Sequence, residues 1–266
     1  MIETLNVFSA GVALAVATQA AERWNERRPD FPVKLEKGGS VVGVKSLLAG
    51  EPYDLLILAD DSLIEAALSP KATSGYAVFA GNKMAVAASP GRSIDSSDWL
   101  VKLTDPKAVF AHFDPKADPG GYRAILAMTL ADHYEKGLSA KLLDHPGRLC
   151  LEKPGPPGSG PKFDYFFCYY SMAKSKGLSF AELPKVMDLS DDSLAEVYAT
   201  AEFRIDEALT ILGAPIAHAL TIPRRAPHPQ LAYEFAQEFL ASDFAAFNFT
   251  PRAKAVGALL DPGKGQ

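Results

Sequence analysis

Three short segments place small residues directly after a strand-like run and before a helix-like run. They are SAG at residues 9–11, GGS at residues 38–40, and Ser171 after a tyrosine pair. The first turn of a helix carries backbone N–H groups without helical partners, and the helix dipole adds about half a positive charge there. A serine hydroxyl adds another donor, so each segment has the groups that bind an oxyanion. Ordinary helix capping uses the same residues, so both interpretations stay open for each segment.

A fourth segment, DPKADPGGYR at residues 114–123, places a carboxylate in front of an apolar helical run. Asp at the N-cap followed by Pro at the first helical position is a common helix start, and such a cap stabilises a helix by roughly 1 kcal/mol. A carboxylate repels a bound anion unless the anion contains a metal centre that the carboxylate can reach. On its own, the segment therefore predicts that Asp118 is a helix cap.

The sequence carries none of the common signatures of catalytic sites. It has no G-x-S-x-G elbow, Walker loop, H-E-x-x-H or strand-anchored G-x-G-x-x-G, so we predict neither catalysis nor a cofactor. Cys168 lies in the apolar run FDYFFCYY and is predicted to be a small core residue, while its pairing with Cys150 is left open. The five histidines lack metal-ligand spacing and are predicted to be surface or capping residues. They are His112, His133, His145, His218 and His228.

The composition is that of a globular protein with a large core, since 48% of the 266 residues are apolar and 22% are charged. The formal charge is −5 and basic residues cluster at most in pairs, so nucleic-acid binding is not expected. The longest apolar runs are much shorter than the ~20 residues of a membrane-spanning helix. The N-terminus lacks the pattern of a signal peptide. We therefore expect a cytoplasmic protein, or one whose signal segment is not part of this chain.

The elements near the N-terminus alternate between strands and helices. Strand-like runs at 4–10, 33–38 and 53–60 are separated by helical patterns at 12–28 and 40–50, the second of which has Ser40 at its predicted N-cap. This βαβ order predicts a parallel sheet covered on both faces. Further strand-like runs follow along the chain. The Pro- and Gly-rich segment 152–162 is predicted to be a surface loop. The order of strands and helices over the whole chain suggests two α/β lobes.

Eight segments occur in a characteristic order across almost the whole chain. They are VFSAG (7–11), GGSVVGVKSLLAG (38–50), YDLLILADDSLI (53–64), FAGNKMAVA (79–87), DPKADPGGYR (114–123), DYFFCYYSMA (164–173), LP-x-x-x-DLS (183–190) and PIAHALTIP (215–223). In this order they resemble the substrate-binding proteins of molybdate and tungstate ABC transporters, and most closely the archaeal-type tungstate/molybdate branch.

The resemblance implies an α/β fold of the second periplasmic-binding-protein type, with two lobes, central mixed sheets and a ligand cleft between the lobes. The first lobe would comprise residues 1–80 and 199–266, and the second lobe residues 81–198. Hinge crossings would lie near 79–87 and 190–200. The resemblance further implies an extracytoplasmic monomer that captures a small oxyanion such as molybdate or tungstate and delivers it to a membrane permease without catalysis.

In this family the oxyanion is bound by two serine hydroxyls and by N–H groups at helix starts, and in the archaeal branch an Asp and a Glu also approach the metal. Ser40 matches the second serine. Asp118 matches the aspartate, so it would cap its helix with one oxygen and approach the metal centre with the other. The ligand-binding residues expected from the resemblance are Ser9, Gly11, Val12, Ser40, Asp118, Tyr122, Cys168 and Tyr170.

Three positions depart from the family pattern. Val12 stands where the first serine is expected, Cys168 where the glutamate is expected, and Tyr170 where an arginine is expected. Ser9 is close enough in sequence to replace the missing serine. Each lost donor to a charged oxygen costs about 1.5–3 kcal/mol, or roughly ten- to a hundredfold in affinity. Two alternatives therefore stay open, namely a different and possibly organic anion with apolar bulk next to Val12, and a ligand-sensing regulatory domain of the same fold.

Overall fold

The computed structural model describes residues 3–151 and 162–259. The predicted loop at 152–162 therefore lies, apart from its last residue, outside the described residues. The chain divides into two compact units. The first comprises the described residues up to Gly81 and from Ala217 onward, and the second runs from Asn82 to Ile216.

The elements of both units follow in chain order. The strands are β1 (Leu5–Ala10), β2 (Val33–Gly38), β3 (Leu55–Leu58), β4 (Gly75–Gly81), β5 (Met84–Ala88), β6 (Phe110–Phe113), β7 (Arg148–Leu151), β8 (Tyr165–Tyr169), β9 (Phe180–Glu182), β10 (Glu202–Arg204), β11 (Thr210–Leu212), β12 (Ala217–Thr221) and β13 (Lys254–Gly257). The α-helices are α1 (Leu14–Arg27), α2 (Ser40–Ala49), α3 (Asp61–Leu63), α4 (Trp99–Thr104), α5 (Pro119–Thr129), α6 (Leu138–Leu143), α7 (Tyr170–Ser175), α8 (Lys185–Asp188), α9 (Ala195–Tyr198) and α10 (Pro229–Leu240). A π-helical turn, Ile64–Leu68, extends α3. None of the helices in the described part of the chain has the length and apolar character needed to cross a membrane.

The first unit is built on a six-stranded mixed sheet with the order β13-β4-β12-β3-β1-β2. β1 pairs in parallel with both β2 and β3, which confirms the predicted βαβ arrangement. β12 runs antiparallel to β3 and to β4. The C-terminal ends of β1, β2 and β3 and the N-terminal end of β12 therefore lie along one edge of the sheet, which we call the carboxyl edge of the first unit.

Two helices cover one face of this sheet and one helix approaches the other face closely. On the first face, the buried rings of Trp24 in α1 and Phe235 in α10 meet edge to face at 5.6 Å. On the second face, a Cβ atom at Gly43 in α2 would lie 2.3 Å from the ring of Phe8 in β1. Only glycine permits this approach, and the contact seats the first turn of α2, which begins at Ser40, against the carboxyl edge.

The second unit is built on a five-stranded mixed sheet with the order β7-β6-β8-β5-β9. β6 is parallel to β7 and β8, whereas β5 is antiparallel to β8 and β9. Helix α5 begins just after β6, and a Cβ atom at Gly121 would lie 2.5 Å from the carbonyl oxygen of Phe113. Glycine at this position therefore lets the first turn of α5 touch the end of β6, which fixes the loop that carries Asp118.

The chain returns to the first unit later than the sequence predicts, between Ile216 and Ala217 rather than near residue 199. Residues 199–216 stay in the second unit because the β10–β11 hairpin packs there. The ring of Phe203 stacks on that of Tyr122 at 6.5 Å, and Arg123 Nη1 donates to the carbonyl oxygen of Ala214 at 2.8 Å. Two three-residue strands are too short to be detected by hydrophobic periodicity, so the sequence gives no local signal for this hairpin. The first crossing, between Gly81 and Asn82, lies within the predicted range 79–87 and one residue beyond the predicted end of the first segment at residue 80.

Candidate functional site

Ser40 lies fully buried at the carboxyl edge of the first unit. It is the first residue of α2 rather than the predicted N-cap, which is Gly39 in an extended conformation. Ser40 Oγ accepts a hydrogen bond from the backbone N–H of Ala59 at 2.9 Å. A hydroxyl group has one hydrogen to donate in addition to its acceptor lone pairs. Because Ser40 Oγ is the acceptor in this bond, its hydrogen remains available for an anion.

The side chains of the other predicted residues of the first unit contribute no comparable donor. Ser9 is fully buried in β1, and its hydroxyl donates to the carbonyl oxygen of Ala10 at 3.2 Å. Its hydrogen is therefore already used inside the strand. Gly11 is exposed in the turn that follows β1. Val12 is partly buried and packs against the apolar core.

Asp118 is the N-cap of α5, as predicted, with Pro119 at the first helical position. Its Oδ1 accepts a hydrogen bond from the N–H of Gly120 at 2.7 Å. Burial raises the pKa of the Asp118 carboxyl group to about 6, opposed by the Gly120 hydrogen bond and reinforced by the negative charge of Asp114. The residue as a whole keeps part of its surface accessible, although protein atoms surround the carboxyl group. The cap uses Oδ1, which leaves Oδ2 for a ligand.

Tyr122 and Cys168 lie in the core of the second unit. Tyr122 is fully buried against Phe203, and Cys168 is 1% exposed in β8. Cys168 packs in an apolar cluster with Ala87, Ala111, Phe166 and Ala173. Burial raises the pKa of its thiol to about 12, so the thiol stays protonated at neutral pH. The prediction of a core cysteine is confirmed, since the neighbours of Cys168 in this cluster are apolar.

The two cysteines are not joined by a disulfide. Cys150 lies on β7 and Cys168 on β8, and β6 runs between these two strands. Adjacent strands are about 4.8 Å apart, so the two Cα atoms are separated by roughly 10 Å, beyond the ~7 Å that a disulfide can bridge.

The difference in burial predicts a difference in thiol reactivity. With an alkylating reagent near neutral pH, we expect the exposed Cys150 to react and the buried Cys168 to react only after unfolding. Mass spectrometry of the native protein should find one adduct, and the guanidinium-denatured protein two. In a Cys150→Ser control, native labelling should disappear. Rapid labelling of Cys168 in that control would contradict the core assignment.

Tyr170 begins α7 and stands between two lysines. Its hydroxyl accepts a hydrogen bond from Lys174 Nζ at 2.9 Å, and Lys83 Nζ lies 4.4 Å from the centre of its ring. Lys83 also forms an ion pair with Glu182 at 2.5 Å. The expected arginine is thus replaced by an aromatic ring with ammonium groups beside it, an arrangement that stabilises cations on the ring face.

Ser171 and Asn82 form a buried pair, of which the sequence pattern points only to Ser171. Ser171 Oγ accepts from Asn82 Nδ2 at 2.8 Å, and Asn82 Oδ1 accepts from the N–H groups of Ser171 and Lys83 at 3.3 and 3.0 Å. The Ser171 hydroxyl is therefore an acceptor, as in Ser40. Asn82 is the first residue of the second unit, and its local signal in the sequence is the Gly-Asn pair between two strand-like runs.

His218 contradicts the prediction that the histidines lie at the surface or cap helices. It is fully buried, and its Nδ1 is 2.8 Å from the carbonyl oxygen of Ala59. Its ring stacks on Phe79 at 6.0 Å and meets Phe249 edge to face at 5.4 Å. His112 is likewise buried. Among the described residues, no group of three or more His, Cys, Asp or Glu side chains could hold a metal ion.

The first unit has two grooves on its surface. One, of about 830 Å³, is formed by the C-terminal half of α1 and by α10, and its charged residues include Arg23, Arg27 and Glu238. The other, of about 880 Å³, is lined mainly by apolar residues of β4, β13 and the segment around Phe244. Because α1 begins at the carboxyl edge, its C-terminal half lies toward the opposite edge of the sheet, so the first groove is not part of the candidate site.

Comparison with known proteins identifies the family. The model of a family described as bacterial extracellular solute-binding protein matches residues 5–247 of this chain. The chain belongs to this solute-binding family. A protein of Petrotoga mobilis named uncharacterized solute-binding protein is 32% identical over 249 residues, which cover 86% of this chain and 76% of that protein.

Two further comparisons involve proteins named for their ligands. The molybdate/tungstate-binding protein WtpA of Thermococcus kodakarensis is 29% identical to this solute-binding protein over 280 residues, covering 90% of this chain and 78% of that one. The periplasmic molybdate-binding protein of Azotobacter vinelandii superposes with a TM-score of 0.67 at 17% identity, covering 93% of this chain and 99% of that one. The structural likeness confirms the predicted periplasmic-binding-protein fold.

Proposed function

We propose that this protein captures a small oxyanion outside the cytoplasm and delivers it to the permease of an ABC transporter, acting as a monomer and without catalysis. The observation that carries the proposal is the buried Ser40 hydroxyl. Its oxygen accepts from Ala59 N–H, and its hydrogen is available for an anion in front of the first turn of α2. That turn adds backbone N–H groups and the positive end of the helix dipole. The names of the Thermococcus and Azotobacter proteins support the same class of ligand.

We further propose that the ligand is tungstate or molybdate rather than sulfate, because of Asp118. A carboxylate repels a simple anion. The metal of tungstate or molybdate, however, can accept oxygen ligands beyond its four oxo groups, whereas the sulfur of sulfate cannot. Asp118 keeps Oδ2 outside its capping hydrogen bond, so this oxygen can approach the metal centre. This role belongs to Asp118 in addition to its role as a cap.

The remaining predicted residues receive indirect roles in the proposal. Val12 and Tyr170 keep the roles that the resemblance implies, and the Ser171 hydroxyl, which accepts from Asn82, keeps a hydrogen of its own. Tyr122 and Cys168 support the fold from the core, because Tyr122 stacks on Phe203 and Cys168 packs among apolar residues. Ser9 is assigned no contact with the ligand, since its hydroxyl donates to Ala10.

Calorimetric titration of the ligand-free protein with tungstate, molybdate and sulfate tests the proposal. We expect micromolar or tighter binding of the first two anions and sulfate binding weaker by about tenfold or more. The melting temperature should rise with the concentration of a ligand that binds the folded state. The absence of heat and of a thermal shift across a broad anion panel would contradict oxyanion capture. Binding confined to organic sulfonates or carboxylates would show that Val12 and Tyr170 have changed the ligand.

A further inference from the structure

Ala59, at the end of β3, is held at both of its backbone groups by buried side chains. Its N–H donates to Ser40 Oγ at 2.9 Å, and its carbonyl oxygen lies 2.8 Å from His218 Nδ1. All three residues are at most 3% exposed. A carbonyl oxygen only accepts hydrogen bonds, so Nδ1 must carry the hydrogen in this contact. The result is a chain of contacts that runs from His218 through Ala59 to Ser40.

The strand pairing explains why a side chain is needed at Ala59. The β12–β3 ladder ends with the pair Ala219 and Leu58, so Ala59 lies just past the regular main-chain bonds between these strands. In the pairing of β12 with β4, the register shifts between His218 and Ala219. Such irregularities turn a side chain away from its regular direction. Here the imidazole of His218 donates to the carbonyl oxygen of Ala59, in place of a main-chain N–H group of the neighbouring strand.

The ring of His218 is fixed in direction by its aromatic neighbours. Phe79 stacks on it at 6.0 Å, and Phe249 meets it edge to face at 5.4 Å. Two such contacts restrict the rotation of the imidazole and therefore the direction of its N–H group. A buried carbonyl without its donor would cost free energy and favour a shift of the backbone at Ala59. Such a shift would move the N–H group that orients Ser40 Oγ.

We propose that His218 is a positioning residue for oxyanion binding. It holds Ala59 so that the Ala59 N–H engages the lone pair of Ser40 Oγ and the Ser40 hydrogen points to the anion. This inference rests on the proposed function, in which Ser40 donates to the oxyanion. His218 itself does not touch the ligand in this scheme, and its effect on affinity passes entirely through Ser40.

Two substitutions of similar size separate positioning from packing. Asn carries its amide nitrogen on Cγ, as His carries Nδ1, so His218→Asn retains a donor at that place. His218→Leu has a methyl group there and removes the donor. Both variants lose the ring contacts with Phe79 and Phe249, so both should melt at a lower temperature than the wild type. We expect His218→Leu to weaken tungstate binding by about tenfold and His218→Asn to stay within about threefold of the wild type.

A double-mutant cycle with Ser40→Ala provides the decisive measurement. If His218 acts through Ser40, His218→Leu should cause almost no further loss of affinity in the Ser40→Ala background, since coupled residues are not additive. An equal loss in both backgrounds, or wild-type affinity in His218→Leu, would overturn the inference. Should His218→Leu not fold cooperatively by circular dichroism, His218→Gln replaces it, because Gln places its amide one carbon too far away. Failure of the wild type to bind tungstate or molybdate would instead reject the proposed function.

Discussion

Replacing Ser40 by alanine should weaken tungstate binding by roughly ten- to a hundredfold, which is the usual cost of losing one donor to a charged oxygen. The variant removes a hydroxyl hydrogen that the described contacts leave available at the carboxyl edge of the first unit, whereas the Ser9 hydrogen is donated to Ala10. It also leaves the Ala59 N–H without its acceptor, so the ligand-free protein should lose about 1 kcal/mol of stability. Calorimetry and urea unfolding measure the two effects separately.

Ser9→Ala is the matched control for this prediction. Ser9 is as deeply buried as Ser40 and belongs to the same edge of the sheet, but its hydroxyl donates within its own strand. We expect its removal to leave tungstate affinity unchanged within about twofold, because no donor to the ligand is lost. If Ser9→Ala weakened binding as much as Ser40→Ala, the assignment of Ser40 as the donor of the first unit would be wrong.

The sequence was sufficient to locate Ser40 but not to determine its role. Strand-helix alternation predicted the parallel order of β1, β2 and β3 because the hydrophobic period of each run is local information. The same local information favoured Ser40 as an N-cap, whereas the structure gives that position to Gly39 and directs the Ser40 hydroxyl to Ala59. Ala59 is 19 residues away in the chain. A partner at that distance becomes visible only when the sheet brings α2 and the end of β3 together.

His218 shows the same limit more clearly. A lone histidine without a second ligand residue nearby in sequence resembles a surface residue, and nothing local indicates that β12 will carry it into the core beside Ala59. Its bond to Ala59 spans 159 residues. Asp118 is the opposite case. Its capping hydrogen bond comes from the N–H group of Gly120, two residues along the chain, and the sequence correctly predicts this role as N-cap. For these three side chains, the predicted role held where the hydrogen-bond partner lies within one turn and failed where the partner belongs to another element.

Replacing Asp118 by asparagine should stabilise the ligand-free protein at neutral pH. The folded-state pKa of about 6 is above the ordinary value near 3.9, so folding disfavours the ionised form. The contribution of Asp118 to stability is therefore greatest below about pH 4, falls as the pH rises to about 6, and is constant above that range. Asparagine stays neutral and remains a good N-cap. In urea unfolding at neutral pH, the free energy of unfolding of the variant should exceed that of the wild type by about 1–2 kcal/mol. This figure is smaller than the full pKa shift implies, because solvent partly screens the residue. Near pH 4 the two proteins should be almost equally stable.

The same substitution decides whether Asp118 also reaches the ligand. If the Asp118 carboxylate approaches the metal centre, Asp118→Asn should weaken tungstate binding by about tenfold or more, because an amide oxygen is a poorer ligand for a highly charged metal. Sulfate offers no open coordination position, so its binding should stay unchanged or become tighter once a repelling charge is removed. Asp118→Ala, which also deletes the cap, should show the same loss for tungstate with a stability lower than that of Asp118→Asn by about 1 kcal/mol. Tighter binding of both anions by Asp118→Asn would restrict Asp118 to its role as a helix cap, and the preference for tungstate over sulfate would then have to come from the size of the anion.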